Sequence, residues 1–203
     1  MSIKALVYDI EIDILKIHHD PLILKLKKDL HLTINKIKTL LFSQYFYFFT
    51  IGKINFESYI KTSFNELVLE DSYIEKLEKK YKKSFNYNIE RKHNIVIYED
   101  LFDLNIYFSG DLDSTIASTL FKKDPSLSKK SFFSSKFHAV KQEELFLDKL
   151  QKNIDLDFNE ILIVDDNIDV LLNAKNKGYL TLFYDGKSNF DKMLKLIIEN
   201  QEK

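Results

Sequence analysis

Ile3-Lys4-Ala5-Leu6-Val7-Tyr8-Asp9 is a short run that is apolar apart from its lysine and that ends in an acid. Late in the chain, Ile161-Leu162-Ile163-Val164 ends in the same way, in Asp165-Asp166. Runs of this length and composition predict buried strands of a parallel sheet. Because parallel strands carry their carboxyl ends to one edge, we expect the acids to meet there. Clustered carboxylates can hold a hard divalent cation and offer one oxygen as a nucleophile.

The composition permits a rigid scaffold around such a site. The chain has 203 residues, 45% hydrophobic and 14% aromatic, which suits one domain, with or without an insertion. A formal net charge of -1 gives no general attraction to nucleic acid, so we expect no such partner. The absence of cysteine excludes disulfides, thiolate metal sites and cysteine nucleophiles. Arg91 is the only arginine, so phosphate recognition would fall to lysine, backbone amides and metal.

Two segments bear on membranes and location. The stretch between Lys38 and Lys53 is uncharged and rich in aromatic residues, but it is too short to span a bilayer as a helix, which needs about 20 apolar residues. We expect it to pack as a buried helix, with a homodimer or lipid contact as the alternative. The amino terminus has no basic stretch followed by a long apolar core, which predicts no secretory signal and a cytoplasmic location.

Helical patterns follow the first strand without a strand pattern between them. Asp20-Pro21 predicts one helix start, and Thr33, Asn55 and Asp71 each predict another. We therefore predict an all-helical cap at residues 14–88, inserted directly after the first strand.

Residues 1–13 and 89–203 are predicted to form an α/β core. In the second of these segments, strand patterns alternate with helix patterns, which predicts a doubly wound parallel sheet covered by helices on both faces. The predicted strands are 105–108, 131–133, 160–164 and 179–184, and the predicted helices are 113–122, 141–151, 168–177 and one that closes the chain. Ile95 to Tyr98 fits either a strand or part of a helix.

Four short motifs occur in one order along this core. They are Ala5-Leu6-Val7-Tyr8-Asp9-Ile10-Glu11, Ile106-Tyr107-Phe108-Ser109, Val140-Lys141-Gln142-Glu143-Glu144-Leu145-Phe146 and Ile163-Val164-Asp165-Asp166, with Ala174 and Gly178 after the last. In this order and with a helical insertion after the first motif, the chain resembles the haloacid dehalogenase-like (HAD) hydrolase superfamily. It is most similar to the subgroup of phosphatases with a helical (C1-type) cap.

The resemblance implies a Mg2+-dependent phosphatase acting on a small phosphorylated metabolite. Asp9 would attack phosphorus to form an aspartyl phosphate, and Glu11 would protonate the leaving oxygen and later deprotonate water. Ser109 would donate a hydrogen bond to a phosphoryl oxygen, and Lys141 would balance the charge of the acids. The implied ligands of the metal are Asp9, Glu11 through its backbone carbonyl, Asp165 and Asp166.

The first motif departs from the family pattern. Family phosphatases usually carry Asp-Gly-Thr or Asp-Gly-Val where this chain has Glu11-Ile12-Asp13. Glutamate keeps the acid but adds a methylene, and an isoleucine cannot take the conformations open to glycine. The alternative is therefore a catalytically degenerate relative that keeps the fold and acts by binding a partner. A phosphoacceptor receiver domain and a dehalogenase are less favoured.

Several neighbouring residues receive structural interpretations. Lys136 competes with Lys141 for the lysine role. Asp111 and Asp113 are expected to cap the next helix rather than bind metal. The five histidines lack the spacing of a zinc site and are expected at the surface or at caps. The segment Gly52-Lys53-Ile54-Asn55-Phe56-Glu57 is similar to a cap stretch of family members that hydrolyse sugar phosphates.

Overall fold

The centre of the protein is a five-stranded parallel sheet with strand order β5-β4-β1-β6-β7. The computed structural model describes residues 2–201. Its strands are β1 Ala5–Asp9, β2 Leu15–Ile17, β3 Phe85–Tyr87, β4 Asn105–Gly110, β5 Ser131–Phe133, β6 Ile161–Asp165 and β7 Leu180–Phe183. The predicted α/β fold with a parallel sheet is confirmed, and the predicted strand bounds are correct to within a few residues.

Helices cover both faces of this sheet and fill the inserted segment. The insertion contains α1 Asp20–Leu30, α2 Ile34–Leu41, α3 Gln44–Thr50, α4 Phe56–Ser63 and α5 Asp71–Tyr81. The core contains α6 Ile89–Val96, α7 Tyr98–Phe102, α8 Ser114–Lys123, α9 Leu127–Lys130, α10 Ser134–Phe137, α11 Glu144–Ile154, α12 Ile168–Asn176 and α13 Phe190–Gln201. A short 3-10 helix, Phe158–Glu160, precedes β6.

Alternate residues of β1 pack into two hydrophobic clusters, one on each face of the sheet. Leu6 and Tyr8 point into a large cluster that continues into the cap, whereas Ala5 and Val7 point into a smaller one on the other face. All four are fully buried, which explains why the sequence of this strand is a nearly continuous apolar run. Each large aliphatic side chain buried in this way stabilises the fold by about 1.5–3 kcal/mol.

The cap contains a feature that the sequence did not predict. Its two ends, β2 and β3, pair as a short antiparallel sheet, with Leu15 opposite Tyr87 and Ile17 opposite Phe85. Three-residue strands carry too little alternation to be recognised, and their pairing depends on residues far apart in sequence. This pairing brings the start and the end of the insertion together next to the first motif. The division into a cap at residues 14–88 and a core at residues 1–13 and 89–203 stays a prediction.

The ambiguous segment proves to be helical. Ile95 lies in α6, and Tyr98 begins α7 after a one-residue break. Ile95 and Tyr98 are buried, whereas Ile97 is 55% exposed, so the apolar run covers one helical face rather than forming a strand. None of the helices formed by residues 2–201 combines the length and the apolar character needed to cross a bilayer.

Candidate active site

Three carboxylates meet at the carboxyl edge of the sheet. Asp9 ends β1, Asp165 ends the neighbouring β6, and Asp166 follows it. One carboxylate oxygen of each lies within 4.8 Å of the others. Asp9 and Asp165 are buried, whereas Asp166 is exposed at the rim. Backbone amides orient the two buried acids, since Glu11 donates to Asp9 Oδ1 at 3.1 Å and Asn167 to Asp165 Oδ1 at 2.9 Å.

Lys141 bridges the two buried acids. Its Nζ lies 2.7 Å from Asp9 Oδ2 and 2.9 Å from Asp165 Oδ2, and its side chain is only 7% exposed. Burial by itself lowers the pKa of Lys141, but the two carboxylates outweigh this and raise it, so the ammonium stays charged. Burial raises the pKa of Asp9, and the ammonium limits that rise. The competing candidate, Lys136, lies instead over the ring of Phe132.

Ser109 lies beside the nucleophile candidate on the adjacent strand. It is paired in register with Asp9 across β1 and β4, and it is buried. Its backbone carbonyl accepts a hydrogen bond from Ile10 at 2.9 Å, which fixes the start of the loop that carries Glu11. The structure therefore places Asp9, Ser109, Lys141 and Asp165 around one point at the edge of the sheet.

Glu11 reaches over the end of β4. Its Oε2 accepts a hydrogen bond from the backbone N–H of Asp111 at 2.7 Å. A Cβ at Gly110 would lie 3.0 Å from Ile10 Cγ2 and 3.5 Å from Glu11 Oε2, so glycine leaves room for this approach. Loss of hydration raises the pKa of Glu11, while the charge of Lys141 opposes the rise. A raised pKa suits a group that must donate a proton near neutral pH.

Asp111 connects Glu11 of the first motif to Lys141. The sequence interpretation made it a helix cap and missed this role in the site. Its Oδ1 accepts hydrogen bonds from the Ser134 hydroxyl at 2.5 Å and from the backbone N–H of Lys141 at 2.9 Å. Its own N–H holds Glu11. Asp113, in contrast, caps α8 as predicted and accepts from the N–H groups of Thr115 and Ile116. No local signal separates Asp111 from Asp113, because both acids follow β4 closely.

The residues that depart from the family pattern are part of the packing. Asp13 Oδ2 lies 2.7 Å from Arg91 Nε, and Asp13 Oδ1 accepts from the Tyr8 hydroxyl at 2.9 Å. Arg91 also donates to the hydroxyl of Tyr184 at 3.1 Å. Ile12 is buried in the main cluster and is not among the described residues with positive φ, so it needs no glycine-like conformation. The turn after Asp9 is therefore tied to the core by the only arginine of the chain.

A cavity of about 560 Å³ lies between the inserted helices and the loops that carry Glu11 and Asp111. Asp9, Lys141 and Asp165 are not among its lining residues, so it adjoins the carboxylate cluster through Glu11 and Asp111 only. Its floor includes Glu11 and Asp111, and its walls come from both parts of the fold. The remaining lining residues are Leu15, Lys16, Ile17, His19, Ser43, Phe46, Tyr47, Thr50, Tyr81, Asp113 and Val140. A volume of this size is typical of small-molecule sites. His19, expected at the surface or at a cap, occupies the N-cap position of α1 without a side-chain cap hydrogen bond, and it also lines this space.

Two contacts hold the cap against the core beside the cavity. The Tyr47 hydroxyl donates to Glu143 Oε1 at 2.5 Å, and His138 Nδ1 lies 2.9 Å from the carbonyl oxygen of Ile51. Both come from α3 or the turn after it, the uncharged aromatic stretch of the sequence. Phe49 of this helix is fully buried, as the core interpretation expects. A homodimer contact through the exposed part of α3 stays a prediction.

The segment from Gly52 to Glu57, which is similar to a cap stretch of sugar-phosphate hydrolases, lies away from the cavity above Glu11. Asn55 caps α4 by accepting from the N–H of Ser58 at 2.8 Å, and Phe56 stacks on Tyr81 with ring centroids 5.2 Å apart. Asn55, Phe56 and Glu57 line a different depression from the cavity above Glu11. The stretch therefore has a structural role, and it does not lie where a leaving group would bind.

The donor set suits a magnesium ion. Three carboxylate oxygens within 4.8 Å of one another are hard oxygen ligands of the kind that Mg2+ takes, and the described residues offer no sulfur or imidazole to this cluster. The backbone carbonyl of Glu11, the fourth ligand implied by the resemblance, accepts a hydrogen bond from Lys16 Nζ at 2.9 Å.

No family model matches the sequence, and no curated protein matches it. Solved structures do match. A HAD family enzyme from Bacteroides thetaiotaomicron, in a complex with magnesium and inorganic phosphate, superposes with a TM-score of 0.72 at 13% identity. The match covers 94% of this chain and 98% of that chain. A predicted HAD-like family hydrolase from Porphyromonas gingivalis gives 0.73 at 14% identity, over 97% and 98% of the two chains.

Enzymes with other chemistry share the same architecture. An L-2-haloacid dehalogenase matches with a TM-score of 0.62 at 12% identity, over 93% of this chain and 89% of that chain. Identities this low establish the fold and leave the reaction open. The chain therefore has the fold of HAD family enzymes along nearly its whole length.

Proposed function

We propose that this protein is a Mg2+-dependent phosphatase that cleaves a small phosphomonoester through an aspartyl phosphate on Asp9. The observation that carries the proposal is the convergence of Asp9, Asp165 and Asp166 within 4.8 Å, with Lys141 between the two buried acids. A structural neighbour with magnesium and inorganic phosphate adds support from the same fold. A dehalogenase has no need of this cation-binding set of carboxylates.

The residues divide the reaction into two displacements. In the first, an oxygen of Asp9 forms a bond to phosphorus, the bond from phosphorus to the ester oxygen breaks, and Glu11 gives its proton to the leaving alkoxide. In the second, Glu11 takes a proton from water, the water oxygen bonds to phosphorus, and the bond to Asp9 breaks. Ser109 donates a hydrogen bond to a phosphoryl oxygen, and Lys141 balances the negative charge around Asp9.

Asp9, Asp165, Asp166 and the carbonyl of Glu11 would hold the magnesium ion. When bound, it supplies positive charge that offsets the repulsion between the Asp9 carboxylate and the phosphate dianion. The cap closes the other side and limits the access of bulk water to the acyl phosphate.

One pair of contacts favours the alternative of a partner-binding relative without turnover. The carbonyl of Glu11 is engaged by Lys16, and the side chain of Glu11 is engaged by Asp111. If both contacts persist with substrate, Glu11 supplies neither a metal ligand nor a mobile acid, and Asp9 is the one ligand left in the first motif. Glu11→Asp shortens the side chain and tests this point directly.

Phosphate release from a panel of phosphomonoesters, with and without Mg2+, tests the proposal. We expect metal-dependent turnover that Asp9→Asn reduces by at least about 1,000-fold, as for the loss of other enzymatic nucleophiles. Asp169→Asn, an exposed acid-to-amide change in α12, is the matched control and should retain activity. Turnover that survives in Asp9→Asn would refute the mechanism.

The alternatives give different results in the same assay. A parent protein without turnover and an active Glu11→Asp variant would indicate a decayed site. Chloride release from 2-chloropropionate without Mg2+ would indicate a dehalogenase.

A further inference from the structure

The cavity above Glu11 is much larger than a phosphate group requires. Liquid water occupies about 30 Å³ per molecule, so a cavity of about 560 Å³ leaves ample space beyond the transferred group. Asp9 does not line this cavity, so a phosphoryl group at Asp9 would lie beyond Glu11 and the cavity would receive the leaving group of the ester. Its lining therefore indicates the chemical class of the substrate, an inference that rests on the proposed phosphatase function.

The walls of this space are aromatic and aliphatic. Phe46 and Tyr47 contribute from α3, Tyr81 from the end of α5, and His19 from the start of α1. The His19 ring lies edge-on to Phe46 at a centroid distance of 5.8 Å and parallel to Tyr81 at 6.3 Å. The aliphatic side chains of the lining are Leu15, Ile17 and Val140. Rings arranged in this way offer faces and edges to a flat ligand.

Most polar groups of the lining already have partners within the protein. The Tyr81 hydroxyl donates to Asp113 at 2.7 Å, and the Thr50 hydroxyl donates to the carbonyl of Phe46 at 2.9 Å. The Tyr47 hydroxyl is engaged by Glu143, and both N–H contacts of Asp113 are made within α8. A sugar brings several hydroxyl groups that each need a partner when water is removed. These walls offer few groups that are free to provide one.

Three polar groups differ from the rest. The ring nitrogens of His19 make no hydrogen bond among the described residues, and His19 does not cap α1 through its side chain. The Ser43 hydroxyl oxygen is buried and has no hydrogen-bond partner among the described residues. Lys16 is exposed, and among residues 2–201 its ammonium forms no ion pair with a carboxylate; it bonds only the carbonyl of Glu11. The leaving group therefore meets one isolated hydroxyl and one imidazole within the wall and one cation at the edge, which suits a ring with one or two polar substituents better than the several hydroxyls of a sugar.

We propose that the substrate is the phosphate ester of an alcohol attached to an aromatic or heteroaromatic ring, rather than a sugar phosphate. The ring would lie against Phe46, Tyr47 and His19, and the phosphoryl group would reach Asp9 past Glu11. Ser43 would bond one heteroatom of the ring or of its substituent.

The rates of hydrolysis of two phosphate esters, one with an aromatic ring and one with a sugar, test this substrate class. Benzyl phosphate and glucose 6-phosphate both release a primary alcohol, so their chemical steps are similar. We expect kcat/KM for benzyl phosphate to exceed that for glucose 6-phosphate by at least about tenfold, which corresponds to about 1.4 kcal/mol of transition-state binding. Phe46→Ala should reduce the value for benzyl phosphate about tenfold and should leave that for glucose 6-phosphate nearly unchanged.

Phe48→Ala is the matched control, because Phe48 lies in the same helix but outside the cavity lining. It should leave both values unchanged. A thermal melt of each variant checks that the cap still folds.

Equilibrium binding separates this inference from the phosphatase proposal. In the presence of Mg2+, benzylphosphonate, which cannot be hydrolysed at its carbon–phosphorus bond, should bind at least about tenfold more tightly than methylphosphonate, and Phe46→Ala should remove the difference. Selective binding without any turnover would refute the phosphatase and support the ligand class. A preference for glucose 6-phosphate, or equal binding of the two phosphonates, would overturn the ligand class even if phosphatase activity is found.

Discussion

Replacing Lys141 by methionine removes the cation between two buried carboxylates and leaves most of the side-chain volume in place. Asp9 and Asp165 are 2% and 0% exposed, and both lie within 3 Å of the lysine Nζ. Removing one partner of a buried ion pair costs about 3–5 kcal/mol, because the remaining charge stays desolvated without compensation. Here two carboxyls remain side by side, and because burial already raises the pKa of Asp9 the pair can relieve its repulsion by taking up a proton, so we expect a loss within that range.

This loss is large enough to measure in a melt. For chains of about 150–250 residues, 1 kcal/mol shifts Tm by roughly 2–4 °C, so a loss of about 3–5 kcal/mol in Lys141→Met should lower Tm by about 6–20 °C at pH 7 without Mg2+. The chain has no tryptophan, so far-ultraviolet circular dichroism is the suitable probe. The exposed Lys152, on α11, provides the control, and Lys152→Met should change Tm by less than about 2 °C.

A second variant checks the cause of the loss. Asp9→Asn in the Lys141→Met background removes one of the two adjacent carboxyls, and with it their mutual repulsion, and should recover part of the lost Tm. A Lys141→Met protein that melts within about 2 °C of the parent would refute the view that this lysine neutralises the cluster.

Two further predictions concern groups outside the carboxylate cluster. Burial raises the pKa of Asp113 from 3.8 to about 6, so the folded state loses stability as pH rises from about 4 to about 6 and this carboxyl ionises. Asp113→Asn should keep the helix cap and remove this loss of stability. In urea titrations the variant should therefore gain up to about 3 kcal/mol over the parent between pH 4 and pH 7. Equal pH profiles would contradict this assignment. Asp13→Thr, which introduces the residue usual in the family, should lower the free energy of unfolding by about 1.5–3 kcal/mol because Arg91 loses its carboxylate partner. Arg91→Met should then lower it little further in the same chain. Additive losses of stability in a double-mutant cycle would show that the two side chains act separately.

The sequence alone predicted the strands of the parallel sheet and most of the longer helices, but not β2 and β3, because only the longer elements carry a clear local signal. Thr33 and Asn55 cap helices as expected, accepting from the backbone N–H groups of Lys36 and Ser58. The apolar runs that end in Asp9 and Asp165 became neighbouring parallel strands. Each of these features depends on side chains within a few residues of one another, so one segment of sequence is enough to recognise it.

The tertiary structure alone decided how the site is supported. The pairing of Asp13 with Arg91 joins residues 78 positions apart, and the contact of Glu11 with Asp111 joins residues 100 positions apart. The sequence marked Lys141 as a candidate only by resemblance. Its place between two acids, and the choice over Lys136, follow from the tertiary position of the segment before α11, where the backbone N–H of Lys141 bonds the Asp111 carboxylate. Such contacts depend on which distant segments become neighbours, and no local pattern of hydrophobicity or capping encodes that arrangement.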